Sequence, residues 1–171
     1  FTLYPEQARL SKICLAQERR REPVRVVILK GRQSGFSTWS SAWTFHHMYW
    51  KNRQRALVVA HHETTTNALF SMAQTFYSEL PIELQWPTHK LNRKELAFLK
   101  PSGSQLVAQT AGFMDIGHGL TLHHVHLSEI DRWPDQDNAL EGIMETVPEQ
   151  AGTSIIIESV ASYADGWLHN F

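Results

Sequence analysis

Short apolar runs alternate with longer amphipathic ones along most of this chain. Val24, Val26, Val27, Ile28 and Leu29 make one such run, Ala56-Leu57-Val58-Val59-Ala60 a second and Ser154-Ile155-Ile156-Ile157-Glu158 a third. Apolar residues at consecutive positions over so short a length suit strands covered on both faces. A fourth strand is read at His123-His124-Val125-His126-Leu127-Ser128-Glu129, ending in a carboxylate. Helical spacing predicts a helix from Tyr4-Pro5 to about Arg20, with Pro5 in its first turn and Leu10, Ile13 and Cys14 on one face. Further helices are predicted from Ser37 to Tyr49, from about Thr65 to Leu80, and from Gln136 to Val147, where Ala139, Leu140, Ile143 and Met144 share a face. Glu95-Leu96-Ala97-Phe98 and Gln105-Leu106-Val107-Ala108 flank Pro101-Ser102-Gly103-Ser104, a hairpin signal. Strand followed by polar loop and helix, repeated, predicts an α/β fold with a central, mainly parallel sheet flanked by helices.

Composition narrows this picture only slightly. The chain has 171 residues, 42% of them apolar and 19% charged, which suits one well-buried domain. A start at Phe1 and an end at Phe171 read as a domain of a longer protein. No run is long and apolar enough to span a bilayer, and no signal peptide is visible. The single cysteine, Cys14, excludes an internal disulfide and fits a reducing compartment. A net charge of −1 means that any nucleic-acid contact must come from local patches. Those available are Arg19-Arg20-Arg21, the turn Lys51-Asn52-Arg53-Gln54-Arg55, and Lys90, Arg93, Lys94 and Lys100 around the hairpin. His124 and His126 alternate onto one strand face, but zinc takes three or four ligands, and partly buried histidines are the expectation there.

The chemistry concentrates in Lys30-Gly31-Arg32-Gln33-Ser34-Gly35-Phe36-Ser37-Thr38, which joins the first strand to the second helix. Strand, glycine-containing turn and helix start is the layout of a phosphate-binding P-loop. Gly35 and Ser37 fit its spacing. Phe36 stands in the usual lysine slot and Lys30 where the first glycine is expected. Phenylalanine cannot supply a charge to a phosphate. Lys30, at the mouth of the loop, has a stem long enough to swing its ammonium back over the phosphates, and Arg32 adds a second cation. Ser37 would place its hydroxyl on Mg²⁺.

This loop resembles the variant Walker A of the large terminase subunits of tailed phages, in which the basic residue can open the loop. Three further segments follow the family's order. Tyr4-Pro5-Glu6-Gln7 is similar to its adenine-reading glutamine motif, and the Gln7 amide has the donor and acceptor that adenine requires. The strand ending at Ser128-Glu129 resembles Walker B, with Ser128 where the family has aspartate and Glu129 as the catalytic carboxylate that orients the attacking water. Ser159-Val160-Ala161 resembles the coupling motif, with Val160 in place of threonine and Ser159 as the residue that senses the γ-phosphate. The family's Arg-Gly is represented by His118-Gly119, so the finger reaching a neighbouring subunit would be another residue, such as Arg132, or the site would rely on Lys30 and Arg32.

The resemblance implies an ASCE-type P-loop NTPase fold over residues 1–171, a single N-terminal ATPase domain without the family's nuclease domain. It implies ATP and Mg²⁺ as ligands, bound by Gln7, by Lys30, Gly31, Arg32, Gln33, Ser34, Gly35, Phe36, Ser37 and Thr38, with Glu129, Lys30 and Arg32 catalytic and Ser37 on the metal. Expected partners are double-stranded DNA, the small terminase subunit, the portal protein and further copies in a ring, in the host cytoplasm on a procapsid, with no membrane. Two rivals share these residues: a helicase-like ATPase of another family, and a non-catalytic nucleotide-binding assembly module, for which Phe36 and Ser128 argue.

Overall fold

Period-two alternation sorts the strand residues into two faces, and each face recruits its own helices. The computed structural model describes residues 2–112 and 121–160. Its elements are α1 (Pro5–Arg19), β1 (Val24–Leu29), α2 (Phe36–Tyr49), β2 (Arg55–Ala60), α3 (Glu63–Ser78), β3 (Thr88–Leu91), β4 (Glu95–Phe98), β5 (Gln105–Thr110), β6 (His124–Ser128), α4 (Gln136–Thr146) and β7 (Ser154–Ser159). They build one sheet in the order β1-β7-β6-β2-β5-β4-β3. β1, β7, β6, β2 and β5 run parallel, and β4 and β3 add an antiparallel edge. The mainly parallel sheet flanked by helices is the expected architecture.

On one face, Ala56, Val58 and Ala60 of β2 and Leu106 and Ala108 of β5 pack with Phe45, Met48 and Tyr49 of α2 and Leu69, Phe70 and Ala73 of α3. Beside them, Val24, Ile28 and Ile156 meet Leu10 and Cys14 of α1 and Trp39 and Trp43 of α2. The opposite face carries Leu57, Val59, Val125, Leu127, Ile155 and Ile157 under Ile143 of α4. Burial pushes the Cys14 thiol up to about 12, the state of an inert core cysteine.

Some details depart from the local pattern. The aromatic residues of α2 are not all core: Trp39, Trp43 and Phe45 are buried, whereas His46 is exposed and Trp50 is 48% exposed at the helix end. α3 starts two residues early, at Glu63. β3 escapes the hydrophobic pattern because three of its four residues face solvent, and its ladder with β4 is interrupted between Thr88 and Lys90.

Where α2 crosses β6 and β7 the sheet turns polar. His124 and His126 are fully buried, not partly so, as are Ser128, Ser154 and Glu158, and α2 contributes buried Ser40, Ser41 and Thr44. The His124 ring stacks obliquely near His47, and its Nδ1 bonds the Ser154 hydroxyl at 2.9 Å. Among the described residues no group of three or more His, Cys, Asp or Glu is arranged to hold a metal.

Burial, reinforced by the nearby charges of His47, Lys51 and His123, pushes His124 down to about 2. The ring is therefore neutral in the fold and gains its proton on unfolding near pH 6.5. The unfolded state binds the extra proton between those values, so stability falls as pH drops below 6.5. Urea titrations of wild type and His124→Gln from pH 7.5 to 5 test this. The wild type should lose about 2 kcal/mol more than the variant by pH 5.

Candidate functional site

The loop after β1 is fixed at both ends. At its entry the Lys30 N–H donates to the Ser159 carbonyl at 3.0 Å, extending the β1–β7 ladder. At its exit Gly35 takes φ +72°, a left-handed conformation that favours glycine. The Gly35 carbonyl accepts from the Trp39 N–H at 3.1 Å and from the Gln7 amide at 2.9 Å. A Cβ on Gly35 would lie 2.6 Å from that amide nitrogen, whereas one on Gly31 would meet nothing within 4 Å. Steric need thus falls on Gly35. Between them Gln33 is also left-handed, and the Ser34 hydroxyl donates to the Gly31 carbonyl at 2.8 Å. α2 then begins at Phe36 without a side-chain cap, so its first N–H groups point into the loop.

Phe36 and Lys30 leave the loop in different directions. Phe36 packs inward on the cluster of Leu10, Cys14, Trp39 and Trp43. Lys30 folds its stem back, and its ammonium donates to the Ser37 hydroxyl at 2.8 Å. The same ammonium lies 3.4 Å from Glu129 Oε1 and pairs with Glu158 Oε2. Its side chain is only 9% exposed. Arg32, Gly31 and Gln33 are exposed on the loop, and Ser34, Ser37 and Thr38 are half-buried.

Glu129 leaves β6 in a left-handed conformation, φ 56° and ψ 44°, and its N–H donates to the Glu158 carbonyl at 2.7 Å. A non-glycine residue held there stores on the order of 1–3 kcal/mol of strain. That turn aims the carboxylate at Lys30, while Arg132 Nε approaches the other oxygen at 3.9 Å. Arg132 therefore borders its own subunit's carboxylate. Ser128 is buried, and its carbonyl accepts from the Trp133 indole at 3.0 Å. Ser159 is fully buried, accepts from the Asp131 N–H at 3.4 Å and donates to the Val160 carbonyl at 3.3 Å. It links the end of β7 to the segment following Glu129.

Gln7 has a task that the sequence did not announce. It is buried, and both ends of its amide are engaged: Oε1 accepts from the Tyr4 N–H at 3.0 Å while Nε2 holds Gly35. His118, Gly119 and Ala161 lie outside the described residues.

The residue that sequence reasoning passed over is Glu158. It is fully buried, and His126 Nε2 stands 3.3 Å from its Oε1. Burial would raise its pKa, but the hydrogen bond and charge of His126 and the charge of Lys30 outweigh this and hold it down to about 2. One signal was available: a carboxylate closing a run of three isoleucines. Such a group needs a buried cation, and Lys30 lies at the end of the neighbouring strand.

No family model matches the chain, and no curated protein matches it in sequence. Solved structures do resemble it. The HK97 bacteriophage large terminase superposes with a TM-score of 0.78 at 17% identity, covering 99% of this chain and 36% of its own. Two structures of the ATPase domain of the Thermus phage P74-26 large terminase give TM-scores of 0.62 and 0.60, each at 18% identity. They cover 99% and 95% of this chain and 69% and 67% of theirs. The fold is therefore that of phage large terminase ATPase domains, and the chain spans about a third of the HK97 protein.

Gly35→Ala should destabilise the domain by about 1–3 kcal/mol, because it adds left-handed strain and drives the Gln7 amide off the loop. Chemical denaturation of this variant beside Gly31→Ala measures it. The Gly31 change should stay within about 1 kcal/mol of wild type.

Proposed function

We propose that this domain binds and hydrolyses ATP, and that it is the motor domain of a phage or prophage large terminase. The observation that carries the reading is the Lys30 ammonium. It joins a P-loop hydroxyl, Ser37, to a strand-end carboxylate, Glu129, at the carboxyl edge of a parallel sheet. The likeness to terminase ATPase domains supports it.

In this reading the uncapped N–H groups of α2 and the loop backbone receive the phosphates. Lys30 and Arg32 add positive charge, and Gln7 keeps Gly35 in the conformation that opens the loop. Glu129 accepts a proton from water and orients it towards the γ-phosphate. Mg²⁺ fits the donor set. Ser37 and Glu129 offer only oxygen, and one carboxylate oxygen of the half-buried Glu129 has no hydrogen-bond partner. Magnesium commonly takes one or two protein oxygens and completes its shell with phosphate and water. When bound it would neutralise charge on the β- and γ-phosphates. Ser159, tied to the Asp131 backbone, would pass the change at the γ-phosphate into the sheet end.

The work done would be translocation of double-stranded DNA into a procapsid in the host cytoplasm. Copies arranged in a ring, the portal protein and the small subunit would be the partners. Phe36, half-buried against the α1 cluster, and Ser128, buried without a carboxylate, favour one alternative, an assembly module that binds nucleotide without turnover.

Calorimetry and turnover assays separate these. Wild type should bind Mg·ATP and hydrolyse it with DNA present. Glu129→Gln should keep binding and lose about 100-fold or more in kcat. Lys30→Ala should lose binding. Absence of nucleotide binding by wild type overturns the reading, and binding without turnover in every assembled form favours the module.

A further inference from the structure

The Walker B-like strand lacks its usual carboxylate, since Ser128 stands there, yet a carboxylate occupies the same rung of the sheet. In the parallel β6–β7 ladder the partner of Ser128 is Glu158. Glu158 has no solvent exposure, so it cannot touch a nucleotide that reaches the loop from outside. What it does touch is Lys30 on one oxygen and His126 on the other. Lys30 otherwise has a flexible four-carbon stem rooted at a strand end, a poor way to present a charge at a fixed point. A buried anion beneath the ammonium removes that freedom. It holds the ammonium within reach of both Ser37 and Glu129.

We infer that Glu158 is the positioning residue for Lys30: from the adjoining strand, and braced by His126, it fixes the relocated P-loop cation in the place where the γ-phosphate develops charge. The inference rests on the ATPase reading of the site. It explains why a charged side chain closes an otherwise apolar strand. It also gives a reason for the fully buried His126, which meets the other oxygen of Glu158. Lys30 aims the charge only because Glu158 is ionised and immobile, and Glu158 is tolerable in the interior only because Lys30 and His126 meet it.

The test uses Glu158→Gln, which keeps the shape and removes the charge, in the intact chain with DNA. Displacement of the cation should appear in the transition state more than in binding. The expected result is a loss of about 100-fold in kcat, with KM and the calorimetric Kd for ATP within about threefold of wild type. A second readout needs no nucleotide. Lys30→Ala leaves Glu158 buried without its ammonium and should lower the melting temperature, and adding Glu158→Gln to that variant should restore part of the loss. Wild-type kcat in Glu158→Gln, or melting shifts that simply add in the double variant, overturns the inference while leaving the ATPase reading intact. Failure of wild type to bind ATP removes both. Should Glu158→Gln not fold, Glu158→Asp, which keeps the charge but withdraws it by one methylene, must show the same kcat loss at unchanged Kd. Wild-type turnover in Glu158→Asp then overturns the proposal.

Discussion

A single ammonium, placed at the end of β1, holds the site together. Lys30 meets Ser37, Glu129 and Glu158, contributed by α2, the end of β6 and β7. Each carboxylate by itself would be costly in so closed a position. Breaking a buried ion pair by removing one partner costs about 3–5 kcal/mol, because the other charge stays behind. The interaction therefore does more than bind. It obliges the loop, the Glu129 turn and the tip of β7 to stay in register with one another.

Sheet order makes that convergence available. β7 lies between β1 and β6, so the strand feeding the loop and the strand ending near Glu129 share one neighbour. Backbone bonds tighten the arrangement: Lys30 N–H to Ser159, Glu129 N–H to Glu158 and Asp131 N–H to the Ser159 hydroxyl. β7 is thus the common reference for the cation and the carboxylate. A polar interior follows from the same geometry. The alternation that sends Val125 and Leu127 to the α4 face sends His124, His126 and Ser128 beneath α2.

On the proposed ATPase reading, the departures from a standard P-loop are a redistribution of roles among neighbours. Phe36 serves the core between α1 and α2, and the positive charge comes from a residue six positions earlier in the chain. Ser128 gives up a carboxylate, and Glu158 carries one on the same rung. Gln7 braces Gly35, whose left-handed turn the loop requires.

Much of this was legible in the chain itself. Consecutive apolar residues marked β1, β2 and β7, helical spacing marked α1 to α4, and the Gly35-Phe36-Ser37 spacing located the loop, because each signal is set by residues close in sequence. Tertiary structure alone decided where Lys30 points, that Gln7 grips the loop and that Glu158 and His126 lie beneath the cation. β3 and the exposed end of α2 were likewise beyond reach, since partners or solvent, not local pattern, decide them. The reason is physical. Hydrophobic periodicity is written along one segment, whereas the partner of a charge is chosen by strand order and register, which bring together residues 128 positions apart, as with Lys30 and Glu158.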